Sequence, residues 1–240
     1  MNLITQRAQY IISNPRAPIM VGAAGALALA LIVLAACAGS PLPTPVTSAV
    51  VAETQAQQPE GPPADVVVYA ADLPEDALSE FEFWDDPASP GGKLVGTPNE
   101  GSDLDAPPED DPHVTFQVPV QGGVPYRCWI HMKVGAPKGI SQANKVWVQF
   151  SNAVDEANQE VFKPGSESYL TAQGPTQEGW SWVACNLENA EPASSLVKFG
   201  TGSEVTVQIQ AGMEGVGFDQ LLLSPAEFLE QPPAVAVIEK

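Results

Sequence analysis

Two stretches of the chain, residues 126–132 and 145–150, combine tryptophan with side chains that form hydrogen bonds. Their polar and aromatic members fall on alternate positions: Arg127, Trp129, His131, Trp147 and Gln149. Proteins bind sugars by placing C–H faces on aromatic rings and by hydrogen bonding through flanking polar groups. The five side chains therefore predict a ligand-binding face for a glycan or cell-surface polymer, if the two stretches pair as neighbouring strands.

The same residues allow a second interpretation. A neighbouring loop within residues 160–185 would cover the rings, and Trp129 and Trp147 would then form a second packing layer. Both interpretations stay open at the level of sequence.

The positions between these side chains are apolar. They are Tyr126, Cys128, Ile130 and Met132 in the first stretch, and Val146, Val148 and Phe150 in the second. Side chains on a strand point alternately to opposite faces, so each stretch predicts a strand with one core face. We expect these two strands at the centre of one sandwich.

Further short stretches of strand-like pattern follow one another with turns between them. They are residues 66–69, 81–84, 93–95, 114–120, 180–185, 196–199, 204–210 and 215–224. Eight or more short strands separated by turns are typical of an antiparallel β-sandwich or jelly roll. The predicted fold class is therefore all-β.

Composition limits the function. Lys+Arg 10 against Asp+Glu 29 gives a net charge of −19, which repels phosphate backbones and argues against nucleic-acid binding. The two histidines, His113 and His131, lie in no Ser, Cys or metal motif, and no glycosidase-like pair stands out among so many acids. We therefore predict that the protein is not an enzyme.

The N-terminal segment predicts export. Arg7 and Arg16 precede Ala17–Ala36, twenty residues without charge. The end of this run, Leu34–Cys37, resembles the bacterial lipobox, in which the cysteine is acylated and cleavage occurs before it. The alternative is an uncleaved transmembrane helix, long enough to span the bilayer, whose small residues Gly22, Ala26 and Ala30 would let a partner helix approach.

Either alternative attaches the rest of the chain to a bacterial membrane, facing the periplasm or the cell exterior. The predicted organisation is a signal or membrane segment at 1–36, a disordered Pro-rich linker at 37–65, a sandwich domain at 66–228 and a loose tail at 229–240. The leading function is a non-catalytic binding module. The other is an accessory subunit of a membrane complex, held by the uncleaved helix.

Cys128 and Cys185 remain once Cys37 is assigned to lipid. In an oxidising compartment two cysteines favour a disulfide, which would stabilise the fold by a few kcal/mol. Because Cys128 lies on the apolar side of its strand, two buried thiols are the alternative.

Five segments in order resemble the galactose-binding-like β-sandwiches related to carbohydrate-binding modules. They are residues 88–92, 126–131, 146–150, 179–182 and 218–224. The resemblance spans about residues 66–228, and it implies a module that binds sugars, proteins or cell-surface components. It also implies a structural calcium near the first and last strands, for which Glu80, Glu82 and Asp219, or the loop 103–111, would supply the oxygen ligands.

Overall fold

The computed structural model describes residues 61–98, 102–134, 144–188, 195–202 and 204–239. Within these ranges the chain forms thirteen β-strands and three 3-10 helices, Ala70–Asp72, Glu75–Ala77 and Pro90–Gly92. No helix in these ranges has the length and apolar character to cross a membrane. The predicted membrane segment, Cys37 and the linker as far as residue 60 lie outside the described residues.

The strands form two sheets. The larger sheet contains β1 Val66–Tyr69, β3 Glu82–Asp85, β4 Lys93–Gly96, β6 Pro125–Val134, β8 Ala153–Val154, β10 Gly179–Ala184, β11 Val197–Phe199 and β13 Gly217–Ser224. The smaller sheet contains β2 Leu78–Ser79, β5 His113–Pro119, β7 Lys145–Phe150, β9 Leu170–Gln173 and β12 Glu204–Ala211.

The larger sheet is built on β6 and β13. One edge of β6 pairs with β13, and its other edge pairs with β10 and β11. The far edge of β13 pairs with β1 and β4. The smaller sheet has the order β2-β5-β12-β7-β9, and the pairs in both sheets are antiparallel. The predicted all-β antiparallel sandwich is confirmed.

The core lies between the sheets and follows the alternation in the sequence. Cys128, Ile130 and Met132 of β6 and Val148 and Phe150 of β7 are completely buried in one apolar cluster. Complete burial of a side chain such as Ile130 stabilises the fold by about 1.5–3 kcal/mol. The two core faces predicted from period-two alternation are therefore confirmed.

The expected pairing of these two strands is wrong. β6 belongs to the larger sheet, and β7 lies between β12 and β9 in the smaller one. The two strands meet through their apolar faces across the core, so their other faces point away from each other on opposite sides of the sandwich.

Candidate functional site

The predicted ligand residues divide between the two outer faces. Arg127, Trp129 and His131 lie on β6 opposite Ser224, Leu222 and Gln220 of β13. Trp147 and Gln149 lie on the outer face of the smaller sheet, with β12 on one side. The five side chains therefore do not form one site, although each group of neighbours keeps the alternation seen in the sequence.

His131 is held in a buried aromatic layer. Its Nδ1 lies 2.7 Å from Asp219 Oδ1, and both residues are at most 2 % exposed. The ring stacks on Trp180 at 4.6 Å between centroids and contacts Trp182 at 4.9 Å. A carboxylate that orients a histidine resembles half of a catalytic triad, but burial keeps this pair away from a substrate. In this position His131 packs between Asp219 and the two tryptophans.

Asp219 reaches His131 because β13 bulges between Phe218 and Gln220. A bulge adds one residue to one strand and so redirects a side chain. Within the described residues, Asp219 Oδ2 is buried without a hydrogen-bond partner. The bulge therefore places two consecutive side chains, Asp219 and Gln220, on the outer side between the core residues Phe218 and Leu221.

The C-terminal segment, residues 225–239, covers this side of the larger sheet. Trp129 Nε1 donates to Phe228 O at 2.7 Å, Arg127 Nε to Leu229 O at 3.0 Å, and Trp182 Nε1 to Val235 O at 3.1 Å. Gln220 holds Ile238 twice, with Nε2 donating to its carbonyl at 2.8 Å and Oε1 accepting from its N–H at 3.1 Å. Tyr69 donates to Glu239 O. We call this surface the covered face.

The segment has no regular secondary structure, yet it differs from the loose tail expected at 229–240. Its backbone groups bind side chains from β1, β6, β10 and β13. Trp129 is only 6 % exposed beneath it. Burial also lowers the pKa of the Arg127 guanidinium. The covered face is therefore a packed layer in this structure.

Trp147 and Gln149 are also enclosed, by a different segment. Gln149 Nε2 donates to Ser166 O and Ser168 O, at 2.8 and 2.9 Å, and its Oε1 accepts from Gly165 N at 3.1 Å. Trp147 is 6 % exposed and contacts Tyr169, with 5.9 Å between ring centroids. The Gln149 amide is therefore occupied by the loop at 163–169, and Trp147 borders the open part of its sheet.

That open part is a patch of uncharged polar side chains, which the sequence analysis missed. Its members are Thr115 and Gln117 on β5 and Thr206 and Gln208 on β12. Gln208 lies opposite both Thr115 and Gln149, and Thr206 lies opposite Gln117. We call these four residues, with Trp147 beside them, the polar face. The signal was present, since threonine and glutamine alternate with valine, phenylalanine or isoleucine in both strands.

The four polar members of the polar face are accessible, whereas Trp147 beside them is buried. Gln117 is exposed, and Thr115, Thr206 and Gln208 are half-buried. The side chains of Gln117 and Gln208 make no hydrogen bond to another residue that the structure describes. Each amide offers two donors and one acceptor oxygen, so the patch can bind a ligand rich in hydroxyl groups.

The candidate calcium ligands are not brought together. Glu82 accepts from Trp84 Nε1 at 2.7 Å, Asp219 binds His131, and Glu80 is exposed at a φ of 61°. In the part of the chain that the structure describes, no group of three or more His, Cys, Asp or Glu residues could hold a metal ion. The calcium prediction therefore finds no site among the described residues, and this includes the loop at 103–111.

The two remaining cysteines are neighbours. Cys128 and Cys185 are free and completely buried, and Cys185 N donates to Cys128 O at 2.9 Å. Burial, with the adjacent Cys128 thiol, raises the pKa of Cys185 well above its usual value. A disulfide between them remains a prediction.

Comparison with known proteins gives structural likeness only. Neither a family model nor a curated protein matches the sequence. Among solved structures, the chain is similar to the GH26-CBM35 β-(1,4)-mannanase of Podospora anserina, with 16% identity and a TM-score of 0.45. The similar region covers 71% of this chain and 29% of that enzyme, so the chain spans less than a third of its length.

Two isolated modules are matched over nearly their whole length. One is the C-terminal CBM6 of a marine laminarinase from Zobellia galactanivorans, with 11% identity, a TM-score of 0.41, and coverage of 67% of this chain and 98% of that one. The other is the carbohydrate-binding module of Cellvibrio mixtus lichenase 5A in complex with cellotriose, with 13% identity, a TM-score of 0.44, and coverage of 68% and 98%. All three TM-scores are below 0.5, so the fold is assigned from the two sheets of this chain and not from these likenesses.

Proposed function

We propose that this protein is a membrane-tethered, non-catalytic module that binds a neutral glycan outside the cytoplasm, and that the polar face is its contact surface. The observation that carries the proposal is the register of Thr115, Gln117, Thr206 and Gln208 across β5 and β12. These side chains are uncharged, accessible and adjacent, and they present donors and acceptors to a ligand lying across the strands.

The residues bordering the polar face suit the same ligand. Trp147 is buried beneath Lys145, whose Nζ lies 5.0 Å from the ring centroid, and the half-buried Tyr169 beside it supplies the accessible aromatic surface at this side. The flat C–H face of a sugar ring can pack against Tyr169 while the hydroxyl groups of the sugar reach the amides.

The net charge of the protein limits which class of glycan it can bind. The net charge of −19 repels polyanions at a distance, so a neutral polysaccharide is favoured over a uronate or sulfated one. The four polar members of the face carry no charge that would need a counterion in the ligand. A neutral chain can therefore bind without leaving a buried charge unpaired.

The binding proposal is tested by affinity gel electrophoresis in neutral β-glucans, mannans, xylans and galactans. At least one should retard the wild-type protein, and Gln208→Ala and Gln117→Ala should reduce the retardation. Gln231→Ala is the matched control. Gln231 is an exposed glutamine of the C-terminal segment, which covers the larger sheet, and it therefore lies away from the polar face of the smaller sheet. Equal retardation of all variants would place the ligand elsewhere, and no retardation by any neutral polysaccharide would refute the proposal.

The tether is proposed from sequence. The apolar run Ala17–Ala36 ends at the lipobox-like Leu34–Cys37, so acylation of Cys37 would leave the mature chain on the membrane through its lipid. Intact mass spectrometry of the protein from its membrane tests this proposal. A mature chain that starts at a lipidated Cys37 supports it, whereas an intact Met1 terminus supports the alternative of an accessory subunit held by a transmembrane helix.

A further inference from the structure

A groove of about 700 Å³ lies on the open side of the sandwich, where β1 of the larger sheet approaches β5 of the smaller sheet. Three segments line it: residues 65–69, residues 72–77 without Glu75, and residues 115–119. It adjoins the covered face through Tyr69, which donates to Glu239 O, and it adjoins the polar face through Thr115 and Gln117.

Both long walls of the groove are strand edges. Within the described residues, β1 pairs with β13 on one side only. β5 pairs with β12 along its whole length, but its outer edge pairs with β2 only at His113 and Val114. The outer edge of Thr115–Pro119 therefore has no strand partner among the described residues. Alternate backbone N–H and C=O groups of an unpaired edge point outward and can accept another strand.

The groove combines an apolar floor with an acidic rim. Leu73, Ala77 and Phe116 supply apolar surface within it. Asp65, Asp72 and Asp76 lie around it, and no lysine or arginine is among its lining residues. The rim therefore attracts positive charge, and the floor accepts small apolar side chains.

We propose that this groove binds an extended basic peptide segment of a partner protein, which adds as a strand to the outer edge of β5. Alternating side chains of such a segment would point to the apolar floor and to the acidic rim. The five residues from Thr115 to Pro119 span roughly 16 Å at about 3.3 Å per residue, enough for a strand of similar length. Pro119 ends the edge because it has no N–H to donate.

A second copy of this chain does not suit the groove. Each copy carries a net charge of −19, and association through an acidic rim would bring like charges together. The charge of the groove thus favours a basic partner over self-pairing. The inference is independent of glycan binding, because its ligand is a peptide backbone held at a strand edge.

The test uses the peptide Lys-Val-Lys-Val-Lys-Val, blocked at both ends and labelled, with fluorescence anisotropy of the full-length protein. The wild type should bind it, and Asp65→Asn combined with Asp76→Asn should weaken binding by about 2- to 30-fold, as expected for two partly exposed ion pairs. The control is Glu178→Gln combined with Glu230→Gln, which changes the net charge equally at two exposed positions outside the groove. It should bind as the wild type does.

A second peptide, N-methylated at alternate residues, isolates the strand pairing. N-methylation removes backbone donors and keeps the charge, so the methylated peptide should lose binding if it adds to an edge. Three results would each overturn the proposal. They are equal binding of both peptides, equal weakening by both double variants, and no binding by the wild type. Gln208→Ala should leave peptide binding unchanged, which separates failure here from failure of the glycan proposal.

Discussion

Replacing Gln220 with leucine should release the end of the C-terminal segment from the covered face. Gln220 is completely buried and makes two hydrogen bonds to the backbone of Ile238, at 2.8 and 3.1 Å. Leucine has a similar volume but can form neither bond. An intramolecular hydrogen bond contributes about 0.5–1.5 kcal/mol net, so the two together stabilise the docked segment by about 1–3 kcal/mol.

This loss corresponds to about a 5- to 150-fold shift in the docking equilibrium. Hydrogen exchange at the Ile238 amide reports the shift directly, because that N–H is a partner in one of the two bonds. Exchange should be faster in Gln220→Leu by a factor in this range. It should be unchanged in Gln231→Leu, whose side chain is exposed in the same segment.

The fluorescence of two tryptophans gives a second observable. Trp182 donates to Val235 O, three residues before Ile238, so release of this end should expose its indole to water and shift its emission to longer wavelength, whereas Trp129, which donates to Phe228 O, should be less affected. If Ile238 exchanges equally fast in the wild type and in Gln220→Leu, the segment is not held by this side chain and the description of the covered face is wrong.

Two further predictions concern the core. Burial and the neighbouring thiol raise the pKa of Cys185, so the unfolded chain releases this proton at lower pH than the folded chain does. The free energy of unfolding, measured with urea, should be unaffected by this group below about pH 8.5 and fall above it by at most about 1.4 kcal/mol per pH unit; a slope that persists undiminished in Cys185→Ala would contradict this. A Cβ added at Gly96 would lie 2.5 Å from Cζ3 of Trp84, so Gly96→Ala should lower stability by about 1–3 kcal/mol, and an unchanged urea midpoint would show that the ring is free to move.

Local pattern predicted ten of the thirteen strands in the described residues but not the short strands β2, β8 and β9, and it predicted the buried sides of β6 and β7. The alternation of Cys128, Ile130 and Met132 is sufficient because side-chain direction on a strand depends only on position along it. The covered packing of Trp129 depends instead on residues 225–239. That segment has neither strand nor helix periodicity and is held by side chains from four strands, so no local pattern predicts where it lies.

Pairing between distant segments was not predictable in the same way. β6 and β7 are close in sequence, and their alternation suggested that they pair as neighbouring strands of one sheet. Their hydrogen-bonded neighbours include β13 and β12, which come much later in the chain. Two strands with one apolar face each can pair edge to edge or pack face to face, and both satisfy the same alternation. Because β6 and β7 belong to different sheets, Trp129 and Trp147 lie on opposite sides of the sandwich. The expected pairing drew attention away from β5 and β12, whose polar face was not predicted.

The most direct test of the central claim is NMR titration of the ¹⁵N-labelled protein with the neutral polysaccharide that retards it most. The account predicts that the side-chain amide signals of Gln117 and Gln208 shift, while the indole signals of Trp129 and Trp182 stay in place beneath the C-terminal segment. Shifts of the two indoles with no change at the two amides would contradict it, because the ligand would then occupy the covered face.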